Sequence, residues 1–178
     1  ALGAGDSVVG VTDYCISPPD AVARLPKVGG TKTLDVGKIV ALKANLVIAN
    51  REENVKEQVE ALETKGVAVW LTDIITIADT IDFVAELPKR TQASAQKAPI
   101  ISRQARILAD RIKAAYEFCQ SHRAAVAPRA ACLIWRKPYM GVGRDTYVHH
   151  LIEAAGGVNV HGGAGFQPAD TGCNPVPP

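Results

Sequence analysis

Between residues 101 and 119 an apolar side chain recurs at every third or fourth position: Ile101, Ala105, Leu108, Ile112, Ala115 and Cys119. Alternating steps of four and three place all six on one face of an α-helix. The stripe predicts a single helix over 101–123, roughly 33 Å long at ~1.5 Å per residue. A helix of that length crosses the width of a small domain and can serve as a strut between two lobes.

The chain ahead of it alternates strand and helix signals. SVVGVT (7–12) is a short β-branched run, and PPDAVARL (18–25) suits a short helix with prolines in its first turn. LDVGKIVALK (34–43) follows the glycine-rich turn VGGT (28–31) and has helical spacing. NLVIAN (45–50) and VAVWLTD (67–73) read as buried-type strands. Between them ENVKEQVEALETKG (53–66) is an amphipathic helix, with Gly66 where a left-handed C-terminal residue belongs. TIADTIDFVAEL (76–87) is a further helix, with Thr76 as N-cap and Pro88 expected to end it. Such alternation indicates βα units and a parallel sheet. Ligands of open parallel sheets sit beyond the carboxyl ends of the strands. That draws attention to Asp13, Tyr14 and Cys15, to Asn50 and Arg51, and to Asp73.

Residues 89–99 are polar and aperiodic, like a connector. Past Pro128 come one strand, AACLIW (130–135), and one helix, TYVHHLIEAAGG (146–157). The expected class is therefore α/β. A parallel-sheet N-terminal lobe (1–88) leads into a connector and backbone helix (89–127), then the start of a second lobe (128–160) and an irregular tail (161–178). One strand and one helix cannot bury much of a core, so the second lobe is expected to pack poorly.

Composition excludes several classes. Of 178 residues, 47% are apolar and 21% charged, an ordinary globular balance. A net charge of +2 gives no footprint for nucleic acid or an anionic membrane. No apolar run reaches membrane-spanning length, and no signal-peptide pattern heads the chain. Cys15, Cys119, Cys132 and Cys173 form no CxxC pair, so neither a zinc ribbon nor a disulfide framework is indicated. Cys119 and Cys132 read as buried small hydrophobes.

The motifs that suggest chemistry are weak. GVGRDT (141–146) lacks the third glycine of a dinucleotide fingerprint, since Thr146 stands there; it reads as a turn into a helix capped by Asp145 or Thr146. In HHLIE, His149 and Glu153 at i,i+4 could supply two metal ligands, but no third is evident and His149 and His150 point about 100° apart. The helix dipole explains Glu52 and Glu53, whereas Asn50 and Arg51 precede the helix and are candidates for ligand contact. No Ser-His-Asp, Cys-His or paired-carboxylate arrangement is legible; a hydrolase-like enzyme would have to rely on Asp13 with Asp73. WRKPYM (135–140) offers aromatic and apolar surface with two cations, which suits a pocket for a bulky, partly anionic ligand.

The stretch from VGVTDYCISPP through KIVALKANLVIAN to LIEAAGGVNV, in this order around a long helix, resembles class III periplasmic binding proteins. The vitamin B12-binding type, with its iron-siderophore and heme relatives, is the nearest in pattern, and the likeness covers residues 2 to 160. It implies two α/β lobes, a ligand cleft between them, no catalysis, no resident cofactor or metal, and a place outside the cytoplasm. The implied ligand is cobalamin, another corrinoid or an iron chelate, delivered to the membrane subunits of an ABC importer. The implied contacts are Tyr14, Asn50, Arg51, Trp135, Pro138, Tyr139 and Met140. Thr31 and Asn50 stand where the B12-binding relatives carry tryptophans, and Gly37 where an acidic residue docks on the importer. Against the family pattern the chain looks shortened at both ends. A non-binding remnant or interaction module of the same fold is the rival expectation.

Overall fold

The computed structural model describes residues 2–91, 93–134 and 137–162. Trp135, Arg136, Cys173 and most of the tail expected to be irregular lie outside the described residues. In chain order the elements are α1 (Pro19–Val22), β1 (Gly29–Gly30), β2 (Thr33–Leu34), α2 (Val36–Ala41), β3 (Leu46–Asn50), α3 (Lys56–Thr64), β4 (Ala68–Thr72), α4 (Ile77–Arg90), α5 (Ala98–Ser121), β5 (Arg129–Ala130), β6 (Leu133–Ile134), β7 (Met140–Gly141), α6 (Tyr147–Ala154) and β8 (Val158–Asn159). A short 3₁₀ turn, Gly5–Ser7, precedes them. The fold is α/β with a long helix, as the alternation of signals implies.

Two compact units are present. Unit 1 comprises Ala1–Asp73 and Asp82–Ala109; unit 2 comprises Ile74–Ile81 and Asp110–Pro178. In unit 1, β3 and β4 pair in parallel with Leu46 opposite Ala68 and Asn50 opposite Thr72. The buried Thr72 hydroxyl donates to the Ala49 carbonyl at 2.8 Å and so locks the two carboxyl ends in register. Between the strands α3 lays Val59 and Leu62 into the core. Leu62 is wholly buried and packs with Val28, Ile39 and Val67. Gly66 ends the connection at φ +78°, a value that only glycine adopts without strain, as its position predicts.

Several expectations are corrected. Residues 7–12 form no regular strand. Val11 makes a single parallel bridge to Lys27, donating to the Pro26 carbonyl and accepting from Val28 N–H. The opposing segment offers no N–H at Pro26 and turns away at Gly29, φ +90°, so the ladder stops there. Pro88 does not end α4, which runs on to Arg90. A proline so close to the C-terminus removes only one late hydrogen bond, and Thr91 N–H still reaches the Leu87 carbonyl. The connector is shorter than expected because α5 starts at Ala98, where Pro99 suits a first turn. On α5 the stripe buries Ile101 and Ala105, joined by Ala109, but Ala115 and Cys119 are exposed. Periodicity fixes which side chains share a face, not whether anything covers it. Cys132 is half-buried.

Unit 2 differs from a strand feeding directly into a helix. The run 130–135 divides: β5 pairs in parallel with β8, while β6 turns back on β7 as an antiparallel hairpin with Ile134 opposite Met140. Thr146 caps α6, accepting from His149 N–H. Among the described residues, unit 2 buries Val142 and Ala154 with the polar His149 and Asn159, and leaves Leu133, Leu151 and Val158 exposed. The core is thin, in keeping with so few strands.

The entry to α4 is a reciprocal cap. Asp79 N–H donates to the Thr76 hydroxyl, and the Asp79 carboxylate accepts from Thr76 N–H at 2.7 Å, the Thr76 hydroxyl at 2.8 Å and Ile75 N–H at 3.1 Å. The Thr76 backbone bond, then its hydroxyl, holds the Asp79 carboxyl below its ordinary value, with Ile75 N–H and nearby His150 adding to the same effect. A depressed folded-state value means the cap is at full strength above the ordinary carboxylate range and is lost as pH falls through the lowered value. Asp79→Ala is expected to cost about 1 kcal/mol at neutral pH, and to cost progressively less below about pH 4. Thermal melts of both proteins from pH 7 to pH 2 check this; parallel curves would contradict it.

Candidate functional site

Unit 1 gathers its candidate residues at the carboxyl end of β3. The Lys27 ammonium donates to the carbonyls of Cys15, at 2.7 Å, and Thr12, at 3.2 Å. Asp13 N–H also donates to the Gly29 carbonyl. These bonds fix the loop that displays Tyr14, whose side chain is 74% exposed. The ring lies against Gly30, where an added Cβ would stand 3.3 Å from Cε2 of Tyr14 and 3.0 Å from the Thr33 hydroxyl. A buried glycine is thus the bed of an exposed aromatic.

The β1–β2 turn connects this ring to the residues after β3. Asn54 donates from its side chain to the Thr31 carbonyl at 3.0 Å and accepts from Asn50 N–H at 2.8 Å. Asn50 in turn accepts from Glu52 N–H through its side-chain oxygen, at 2.8 Å. Thr31 donates to Glu53 at 3.3 Å, and Lys32 donates to the Glu52 carbonyl. Arg51 pairs with Asp73 at 3.3 Å, both side chains being well exposed. Such a pair adds little stability but orients the guanidinium. It also commits Asp73, the carboxylate that an enzyme reading would need alongside Asp13. Thr31 and Asn50 are therefore joined through Asn54, with the Tyr14 ring beside them on Gly30 and Arg51 next to Asn50 in the chain. Sequence reading missed Lys27, Gly30 and Asn54 as their supports; the Gly29-Gly30 pair was the only local hint.

In unit 2, Pro138, Tyr139 and Met140 occur together on the β6–β7 hairpin. Tyr139 is 46% and Met140 47% exposed, so the hairpin presents an aromatic and a thioether. Lys137 before them has φ +69°. Trp135, the other candidate of this loop, lies outside the described residues.

His149, His150 and Glu153 bring ligand-type atoms within 4.8 Å of one another, closer than side chains 100° apart on a helix suggest. The surroundings do not suit a metal. Asn159 is oriented by accepting from His161 N–H and donating to the Val142 carbonyl, so its amide nitrogen also donates to His149 Nδ1 at 3.2 Å. Neutral His149 then carries its proton on Nε2, 3.4 Å from Glu153. A metal-bound imidazole needs the reverse, a free Nε2 and an acceptor facing Nδ1–H.

No family model matches the chain. A vitamin B12-binding protein of Salmonella typhimurium is 27% identical over 166 residues, 90% of this chain and 57% of the relative. One from Salmonella paratyphi A is 33% identical over 102 residues, 54% of this chain and 38% of the relative. Among solved structures, the periplasmic vitamin B12 binding protein BtuF of Vibrio cholerae superposes with a TM-score of 0.75 at 22% identity, over 93% of this chain and 62% of that one. The periplasmic heme-binding protein RhuT of Roseiflexus gives 0.72 at 25% identity, over 89% and 59%. The chain thus spans less than two thirds of the length of these relatives. Over that span the chain is similar in sequence to vitamin B12-binding proteins and shares the fold of periplasmic vitamin B12- and heme-binding proteins.

Proposed function

We propose that the chain binds a corrinoid or an iron chelate such as heme, outside the cytoplasm, as the substrate-binding component of an ABC importer. The observation that carries the reading is Tyr14: a largely exposed aromatic ring bedded on Gly30, on a loop that Lys27 pins through the carbonyls of Thr12 and Cys15. An exposed ring fixed in this way presents a flat apolar face at little entropic cost, which is what a macrocycle requires. Asn50 and Arg51 supply polar contacts to the ligand's periphery from the same patch. Pro138, Tyr139 and Met140, all exposed on unit 2, offer a separate apolar and aromatic contact surface of their own. The relatives' names point to the same ligand classes.

Titrating the purified chain with cyanocobalamin, cobinamide and hemin, followed by calorimetry, tests the proposal. Saturable binding of one of the three is expected, and Tyr14→Ala is expected to weaken it roughly thirtyfold, the scale of a truncated anchor of about 2 kcal/mol. Folded protein that binds none of them would refute it.

A further inference from the structure

Unit 2 contains a cavity unrelated to Tyr14 and its neighbours. It measures about 280 Å³ and is lined by Thr76, Ile77 and Ala78 at the start of α4, Tyr116, Gln120 and Arg123 near the end of α5, and His150, Glu153 and Ala154 of α6. The Gln120 side-chain nitrogen is buried and has no hydrogen-bond partner among the described residues. Native structures seldom leave a buried donor unmatched, so an acceptor is missing at this point.

Other donors surround the same space. Ile77 and Ala78 occupy the first positions of α4, where backbone N–H groups have no intrahelical acceptor. One nitrogen of the Arg123 guanidinium donates to the Glu153 carbonyl at 3.1 Å, which holds the group at the cavity and leaves its other N–H groups for a ligand. The acidic groups nearby are already engaged: Asp79 accepts its three hydrogen bonds from Ile75 and Thr76, and the Glu153 carboxylate lies against His149. Two carboxylates at the margin favour a monoanion over a dianion. Ile77, Ala78, Ala154 and the Tyr116 ring add apolar wall for a short carbon chain. The volume is at the small end for ligand sites.

We infer that this cavity binds a small monocarboxylate, its oxygens taking the Gln120 amide, the Arg123 guanidinium and the first-turn N–H groups of α4. The site needs neither corrinoid nor heme, and its test is read in their absence. Sodium propionate and inorganic phosphate are titrated into the ¹⁵N-labelled chain at fixed pH and ionic strength. Propionate is expected to shift the Gln120 side-chain amide and the Ile77 and Ala78 amides, saturating with one millimolar-range Kd. Gln120→Leu should raise that Kd at least tenfold. If that variant does not fold, Gln120→Glu keeps the shape, places a carboxylate where the donor stood, and should abolish the shifts. No saturable shift at these amides by 100-fold excess propionate would overturn the inference. So would phosphate binding as tightly as propionate, or a variant that folds and binds propionate unchanged.

Discussion

Leu62→Ala is expected to lower the unfolding free energy by about 3 kcal/mol, within the range for emptying a buried leucine site. Leu62 has no exposed surface and sits among Val28, Ile39 and Val67, with Leu34, Val36, Leu42, Val47 and Val69 packed around them. These neighbours lie in or beside α2, β2, β3 and β4, whose backbones are held by their own hydrogen bonds, so they cannot close fully over the gap. Two of the last bonds of α3, from Lys65 and Val67 N–H, end on the Leu62 carbonyl, and they survive the truncation. The loss is therefore one of packing. Urea unfolding followed by circular dichroism should show a lower midpoint with an unchanged slope. The adjacent, exposed Glu63→Ala serves as control and should stay within about 0.5 kcal/mol of the parent. A loss below about 1 kcal/mol for Leu62→Ala would mean that the core collapses onto the vacated volume.

Gly29→Ala is expected to cost a comparable amount, roughly 2–4 kcal/mol, from two additive sources. Gly29 has φ +90°, which a Cβ makes strained, and that Cβ would overlap the Thr33 carbonyl oxygen. Backbone is the obstacle, so no side-chain rotation relieves it. The β1–β2 turn must open, and Gly30 moves with it, which removes the bed of the Tyr14 ring. Ligand affinity should fall at temperatures where the variant is still folded. Gly37→Ala is the comparison: it stands in α2, where the added Cβ meets only the Asp35 carboxylate at 3.5 Å. Gly37→Ala should therefore be neutral or slightly stabilising. Equal stability of the two variants would contradict this account of the turn.

The elements legible in the sequence were those whose partners lie close along the chain. β3, α3, Gly66 and β4 form one βα unit, and period, cap and length all agree there. The Thr76 cap and the α6 cap were legible for the same reason. Val11 was not, because its ladder depends on Pro26 and Gly29 fifteen or more residues away. The hairpin that carries Tyr139 and Met140 was legible only as a loop after a single strand, since two-residue strands leave no periodic trace. For the candidate site, Tyr14, Asn50 and Arg51 could be marked from their place after strands. Their supports could not, because Lys27 to Cys15, Asn54 to Thr31 and Arg51 to Asp73 are pairings between segments of no local pattern. The cavity beside Gln120 draws on three separate helices and has no motif at all.

The way Tyr14 is mounted bears on how such a protein can change over generations. Its ring rests on a glycine and its loop is pinned through backbone carbonyls, so neither support depends on which side chain position 14 carries. On the proposed binding role, replacing the residue changes the ligand contact while α3 and its core stay untouched. Substitutions at position 14 can therefore accumulate without the stability loss that would otherwise remove them from a population, whereas the glycine beneath is tied to the shape of the turn.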